Sequence, residues 1–372
     1  MHVGIIGCGQ LARMMALAGW DMGLRFSFLA SEGESTTCVQ GLGNIVLYTP
    51  GHTAAQVYQD LGQPDVVTVE RERVDYALLR GLADHCAVHP NADAVEACGD
   101  RFREKQLLDS AELPSAPYAI AETAQDVRAA AQSLGLPVVV KSPTEGYDGK
   151  QQWHLLTEKQ LEAFCEENPP GAWLVESRIP FEREVSMIAA RSANGDVTLY
   201  PPTENRHRDG ILLTSIAPAA DMGPLHEKAC QYISTLLEAM DYVGVLAMES
   251  FVTTDALLIN ELAPRVHNSG HWTMHGEVSS QFENHLRAIL GMSLGATQTS
   301  RCHGMINILG GYDQRGTLLS LSRDARLTDY NKSHRPLRKL AHINVCSASR
   351  ENVEEQLLSL HDQLYSGSTP AV

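Results

Sequence analysis

Glu249 and Glu261 each lie in an apolar run of strand length, at residues 245–252 and 257–263, and a short polar stretch around Thr254-Asp255 separates the two runs. Such a pattern predicts an antiparallel hairpin. A turn centred near Asp255 places the two glutamates opposite each other. Both carry odd numbers, as do Phe251 and Ile259, so two-residue alternation predicts one shared face for all four. Directly opposed side chains have Cβ atoms roughly 4.5–5.5 Å apart, where like charges repel. A cation between them would relieve this, and carboxylate oxygens without His or Cys favour Mg²⁺ held together with nucleotide phosphates. The alternative is an edge hairpin whose glutamates are simply solvated. A second candidate is Lys141, which ends the strand-like run Pro137-Val-Val-Val-Lys141 and precedes the glycine-containing loop 142–151. A strand-end ammonium beside backbone N–H groups suits a phosphate clamp, although an ordinary surface hairpin has the same pattern. A third is the cationic stretch His334-Arg335-Pro-Leu-Arg338-Lys339, which could cap a substrate phosphate or be a solvated cluster.

These residues need a scaffold, and the periodicities supply one. Residues 2–6 read as a buried strand, followed by Gly7-Cys8-Gly9 and a helical pattern over 10–22. Gly7-x-Gly9-x-x-Ala12 approximates a dinucleotide fingerprint, with Glu32 about where a ribose-binding acid is expected. The turn could equally receive a phosphate on the helix N-terminus. Strands at 25–30 and 65–70 and a helix at 74–84 complete a doubly wound α/β unit. A helix opens at Asp100-Arg101 and ends before Leu113-Pro114 and Ala116-Pro117, a plausible boundary. Further elements are a helix at 125–134, strands at 173–176 and 182–190, a turn at Asn194-Gly195 and a helix at 227–239. The dense polar stretch 203–210 could be functional, and a solvated loop explains it equally well. Beyond residue 271 come a helix at 278–290, strands at 305–309 and 340–345, and a helix at 351–365.

Composition narrows the function classes. The 372 residues are 44% hydrophobic and 20% charged, as in soluble globular proteins, and allow two or three domains. A net charge of −16 argues against a general nucleic-acid binder. Eight cysteines form no Cys-x-x-Cys pair, which disfavours zinc and redox dithiols and fits free thiols in a reducing cytoplasm. The opening strand and the lack of an apolar run of about 18 residues predict neither a signal peptide nor a membrane span.

Taken together, Gly7-Cys-Gly-Gln-Leu11, Asp100-Arg101, Gly146-Tyr-Asp-Gly149, Asp209-Gly210-Ile211, Met248-Glu249 and the block Asn260-Glu-Leu-Ala-Pro-Arg-Val-His-Asn-Ser-Gly-His271 resemble the ATP-grasp superfamily. Within it the chain resembles the N5-carboxyaminoimidazole ribonucleotide synthetase family over nearly its whole length. The resemblance implies an α/β and α+β chain with a Rossmann-like (pre-ATP-grasp) domain over 1–97, an ATP-grasp domain over 98–297 and a small α+β domain over 298–372. It implies a homodimer that makes N5-carboxyaminoimidazole ribonucleotide from ATP, bicarbonate and aminoimidazole ribonucleotide through carboxyphosphate, in purine biosynthesis. ATP contacts are implied at Arg101, Lys141, Glu176, Ile179, Glu184 and His207. The loop Gly146, Tyr147, Asp148, Gly149, Lys150 and Gln152 would lie over the phosphates. Glu249 and Glu261 would hold Mg²⁺, with Asn260 beside them. Arg265, His267, Asn268, Ser269, Arg335 and Lys339, with Gly9, Gln10 and Leu11, would bind ribonucleotide and carboxyphosphate. Asp148 is the first candidate for the amine proton and His271 the second, with Arg265 neutralising developing charge. The family loop reads Gly-Tyr-Asp-Gly-Lys-Gly-Gln, and here Gln151 replaces its second glycine, at a position where Gln tolerates positive φ poorly; Glu145 likewise stands where a glycine usually precedes Gly146. The competing readings are a formate-using glycinamide ribonucleotide ligase, an NAD-dependent oxidoreductase and a non-catalytic nucleotide-binding protein.

Overall fold

A computed structural model describes residues 1–49, 51–144, 151–167, 171–310 and 324–365. The first unit is a parallel five-stranded sheet built from β1 (His2–Ile6), β2 (Arg25–Ala30), β3 (Asn44–Leu47), β4 (Val66–Val69) and β5 (Ala87–Val88). Its order is β3-β2-β1-β4-β5, and helices α1 (Gln10–Trp20), α2 (Ala54–Asp60), α3 (Tyr76–Leu82) and α4 (Ala92–Gly99) accompany it. Strands β1 and β4 are buried along their whole length, as continuous apolar runs in a doubly wound sheet should be.

Helix α5 (Arg101–Ser110) follows at once, N-capped by the Asp100 carboxylate, which accepts from the N–H groups of Phe102 and Arg103 at 2.8 and 3.1 Å. It leads into a small antiparallel sheet of order β6-β9-β7-β8. Its strands are β6 (Tyr118–Ala121), β7 (Val138–Lys141), β8 (Gln152–Leu155) and β9 (Trp173–Ser177), with helices α6 (Ala124–Leu134) and α7 (Glu158–Glu167). Gln151, just before β8, has φ 49°, so the position that departs from the family loop takes the left-handed conformation glycine favours.

The remaining strands share one nine-stranded sheet. They are β10 (Arg183–Arg191), β11 (Val197–Leu199), β12 (Thr203–Arg208), β13 (Ile211–Ala217), β14 (Gly244–Val252), β15 (Leu257–Ala263), β16 (Cys302–Leu309), β17 (Arg326–Asp329) and β18 (Lys339–Ser347). Helices α8 (Pro224–Ala239), α9 (Gln281–Ile289) and α10 (Arg350–Tyr365) cover it. Residues 203–208 form an interior strand, β12, paired with β10 and β13, rather than a solvated loop. The C-terminal strands β16 to β18 extend the sheet of the central hairpin through the β13–β16 pairing. No helix among the described residues is long and apolar enough to cross a membrane.

The first unit is tied to the large sheet by buried polar contacts as well as by apolar packing. The buried Thr68 hydroxyl of β4 meets the His285 Nε2 of α9 at 2.8 Å, and His285 Nδ1 accepts from the Val245 N–H of β14 at 3.0 Å. With Nδ1 an acceptor, Nε2 carries the proton and donates to Thr68.

Candidate active site

All three sheets contribute to one cleft of about 1830 Å³. At its centre β14 and β15 pair with Glu249 directly opposite Glu261. The register slips by one residue beyond them, because Ile259 rather than Asn260 pairs with Ser250. Asn260 is therefore the extra residue of a β-bulge, which turns both Asn260 and Glu261 toward the cleft. The slip also corrects the predicted shared face: Phe251 lines the cleft, whereas Ile259 is fully buried in the core on the other side.

Burial, and next the charge of Glu261, push the Glu249 carboxyl above the usual carboxylate range. His267 Nε2 lies 3.4 Å from Glu249 Oε1, but burial and then the Arg265 charge hold that ring well below its ordinary value, so it stays neutral and does not offset the charge. Two opposed carboxylates with an adjacent amide oxygen form a hard oxygen donor set with excess negative charge, which fits Mg²⁺. Among the described residues no group of three or more His, Cys, Asp and Glu could hold a metal.

Across the cleft the small sheet presents a compact ion cluster. Lys141 Nζ lies 2.5 Å from Glu176 Oε2, and Lys105 Nζ lies 2.6 Å from Glu176 Oε1. Burial alone would raise the Glu176 carboxyl, but the two ammonium groups, Lys141 foremost, hold it down to about 2. Lys141 also reaches Asn260 Oδ1 at 3.5 Å, linking this cluster to the bulge. Arg101 donates to the carbonyl of Ser142 at 2.8 Å, just beyond the end of β7. Gln152 and Ile179 line the same wall. Phe181 and Phe251 stack with centroids 4.6 Å apart and planes 9° apart, a flat apolar surface suited to a purine base.

Glu184 and His207 meet at 2.6 Å across β10 and β12. Burial opposes protonation of His207, but the hydrogen bond to Glu184 and the charge of Glu249 raise it overall. On the N-terminal side Arg265 ion-pairs with the buried Glu72. His267, Asn268, Arg335 and Lys339 line the cleft there, with Gly9, Gln10 and Leu11. Asn268 exchanges amide hydrogen bonds with Asn307 at 2.7 and 3.1 Å. Lys332, which bonds Gln10, also lines this region.

Two predicted residues do not reach the cleft. Ser269 is fully buried behind it, bonded to Ser186 at 2.7 Å and to His267 Nδ1 at 2.9 Å. His271 is also fully buried, its ring packed against Phe282, Tyr330 and His342, and burial keeps it well below its ordinary pKa. It belongs to the wall rather than to the reacting surface, so its predicted proton-handling role finds no geometric support. Gly146, Tyr147, Asp148, Gly149 and Lys150 lie outside the described residues.

The NAD reading meets a specific obstacle. Glu70 fills the glycine turn, accepting from the N–H groups of Gly9 and of Ala12, the latter at 2.9 Å, where a pyrophosphate would sit. Glu32 is exposed; it is Glu34 that reaches the turn, accepting from the Cys8 N–H at 2.9 Å. Sequence reasoning missed Glu70, Glu72, Glu104, Lys105, Phe181 and Lys332. Only Glu70-x-Glu72, acids at the end of an apolar strand, carried a readable signal.

Comparison with known proteins agrees with this geometry. Residues 1–98 match the ribonucleotide synthetase preATP-grasp domain, 106–282 the ATP-grasp domain, and 304–356 the phosphoribosylaminoimidazole carboxylase C-terminal domain. The chain is 40% identical to an N5-carboxyaminoimidazole ribonucleotide synthase of Vibrio cholerae, covering 100% of this chain and 98% of that protein. It is 38% identical to the synthase of Escherichia coli, covering 96% and 94%. The crystal structure of the synthetase from Thermus thermophilus superimposes with a TM-score of 0.89 at 37% identity over 100% of both chains. The synthase of Aspergillus clavatus, crystallised with ADP and 5-aminoimidazole ribonucleotide, superimposes with a TM-score of 0.87 at 26% identity, covering 97% and 98%.

Proposed function

The chain belongs to the N5-carboxyaminoimidazole ribonucleotide synthase family, and from that membership we propose how its own residues convert ATP, bicarbonate and 5-aminoimidazole ribonucleotide into N5-carboxyaminoimidazole ribonucleotide, ADP and phosphate. It is an ATP-dependent ligase of purine biosynthesis. The observation that carries the assignment of roles is the meeting, in one cleft, of the opposed Glu249/Glu261 pair, the Lys141–Glu176 cluster and a basic wall containing Arg265, Arg335 and Lys339.

Glu176, Ile179 and the stacked Phe181–Phe251 pair receive the adenosine end, and Lys141 lies where the phosphates lead toward the carboxylate pair. Mg²⁺ bound by Glu249 and Glu261, with Asn260 beside them, would neutralise phosphate charge. A bicarbonate oxygen attacks the γ-phosphorus, the bond to the β-phosphate oxygen breaks, and carboxyphosphate forms. In such transfers the protein contributes mainly position and charge neutralisation, here from Lys141 and Arg265. The exocyclic amine then attacks the carboxyl carbon, or CO₂ released from carboxyphosphate inside the closed site, with loss of phosphate. Arg335 and Lys339, with the turn Gly9, Gln10 and Leu11, hold the ribonucleotide. Asp148 in the loop takes the amine proton. Excluding water protects the labile carboxyphosphate, a role for the loop that includes residues 145–150.

We assign the three domains to 1–97, 98–297 and 298–372, and the working form to a cytoplasmic homodimer, as the family resemblance implies. The test is ADP release from the purified chain, which should require bicarbonate and be stimulated by 5-aminoimidazole ribonucleotide. Equal stimulation by glycinamide ribonucleotide with formate would overturn the substrate assignment, and light scattering tests the dimer.

A further inference from the structure

Helix α5 reaches both jaws of the cleft through consecutive residues. Neighbours on a helix point about 100° apart, so Glu104 and Lys105 face different sheets. The buried Glu104 carboxyl oxygen accepts from the Leu262 N–H of β15 at 2.8 Å, immediately after Glu261. Lys105, 1% exposed, pairs with Glu176 of β9 at 2.6 Å, while the other oxygen of Glu176 holds Lys141. Its ammonium also lies 5.6 Å from the centre of the Tyr118 ring of β6. At the start of the same helix the Arg101 N–H donates to the Pro143 carbonyl at 2.9 Å. A buried ammonium is costly where an apolar side chain could pack, so stability alone gives little reason for Lys105. Leu262 lies on an edge strand, where Glu104 stands in for the missing neighbour.

We propose that Glu104 and Lys105 are positioning residues that lock the carboxylate hairpin and the nucleotide-clamping sheet into one alignment through α5. The proposal rests on the nucleotide-site reading above. Each acts through another group, Glu104 through the Leu262 N–H and Lys105 through Glu176. Moving the helix would shift Glu261 relative to Lys141, and a misplacement of about 1 Å can cost on the order of a hundredfold in rate.

The experiment uses the full-length chain and the variants Glu104→Ala, Glu104→Gln, Lys105→Met and the Ala/Met double variant. In the metal- and nucleotide-free protein, amide exchange of Leu262 should accelerate about tenfold or more in Glu104→Ala and return toward wild type in Glu104→Gln, whose amide oxygen still accepts. Calorimetry with adenylyl imidodiphosphate, with and without Mg²⁺, gives the second readout. Glu104→Ala and Lys105→Met should each cut the gain in affinity from Mg²⁺ about tenfold, and Lys105→Met, which also takes one ammonium from Glu176, should weaken binding without Mg²⁺ as well. The double variant should lose less than the product of the two, since either break releases the same alignment. A wild-type Mg²⁺ gain in folded Glu104→Ala, no rescue by Gln, or strictly multiplicative losses would overturn the tie. If Glu104→Ala does not fold, Glu104→Asp, one methylene too short, serves in its place. Absence of ribonucleotide-stimulated ADP release in the wild type would sink the carboxylase reading instead, and the exchange and calorimetry arms would still decide the tie.

Discussion

Replacing Glu249 by Gln should stabilise the nucleotide-free protein at pH 8.5 and leave it nearly unchanged at pH 4.5. Opposed side chains have Cβ atoms about 5 Å apart, and two full charges held at about that separation repel by about 3 kcal/mol at an effective dielectric constant of about 20. The native protein escapes part of this cost by retaining a proton, since burial and then Glu261 push Glu249 up to about 7. A carboxyl raised in the folded state favours folding fully below its unfolded value of about 4.3, and loses that contribution as pH rises through the folded value. The amide carries no such dependence, so the advantage of Gln opens between about pH 4.3 and 7 and approaches 2–3 kcal/mol above it. Thermal melts in EDTA across that range provide the assay, with an expected rise of about 5 °C at pH 8.5. The same variant should lose about a hundredfold or more in Mg²⁺-dependent ADP release. A lower melting temperature at pH 8.5, or a difference that does not vary with pH, refutes the opposed-charge argument. Wild-type turnover refutes the metal assignment.

Lys141→Met leaves Glu176 with Lys105 as its remaining ammonium partner. It should cut ADP release about a hundredfold and move acid unfolding to higher pH, because the stability Glu176 supplies above its unfolded value is at present lost only as pH falls through about 2. His271→Leu, behind the wall, should leave kcat and KM for the ribonucleotide within about threefold of wild type. A large loss of kcat in a folded His271→Leu protein would return the ring to the chemistry. Gln151→Gly should be stabilising by less than about 1 kcal/mol in denaturant melts, since relief of a left-handed penalty of about 1–2 kcal/mol is partly offset by glycine's greater chain entropy.

The sequence pointed to the carboxylate pairing through apolar runs placed symmetrically about Asp255, but the turn-side pairs Ser250–Ile259 to Val252–Leu257 would set Glu249 against Asn260, and it is the bulge that brings Glu261 opposite. The bulge was not legible, since an extra residue in one strand leaves no compositional mark, yet it separates Ile259 from Phe251 and aims Asn260 at Lys141. Strand β12 was hidden by its charges. Its inward positions are polar but individually satisfied: Thr203 accepts from Trp272 Nε1, Asn205 bonds Ser186 and Ser215, and His207 pairs with Glu184. A period-two apolar signal cannot report a face built from hydrogen bonds. Glu104 and Lys105 look like any solvated pair on a short helix, and only the tertiary arrangement reveals that each is buried.

The N-terminal turn shows why a short motif needs its structural context. Glycine there permits close approach of an anion to backbone N–H groups, and that much of the dinucleotide reasoning survives. The anion is the protein's own. A Cβ at either Gly7 or Gly9 would lie 2.7 Å from Glu70 Oε1, so the glycines make room for a carboxylate from β4's end instead of a pyrophosphate. With the helix N-terminus already satisfied, the first domain presents Gln10 and Leu11 to the cleft, where the proposed function makes them a substrate wall and leaves the nucleotide to Lys141 and the glutamates of the second. A turn that reads as cofactor-binding is thus closed on the protein's own carboxylate, and the cofactor-like sequence and the ligase-like site cease to compete.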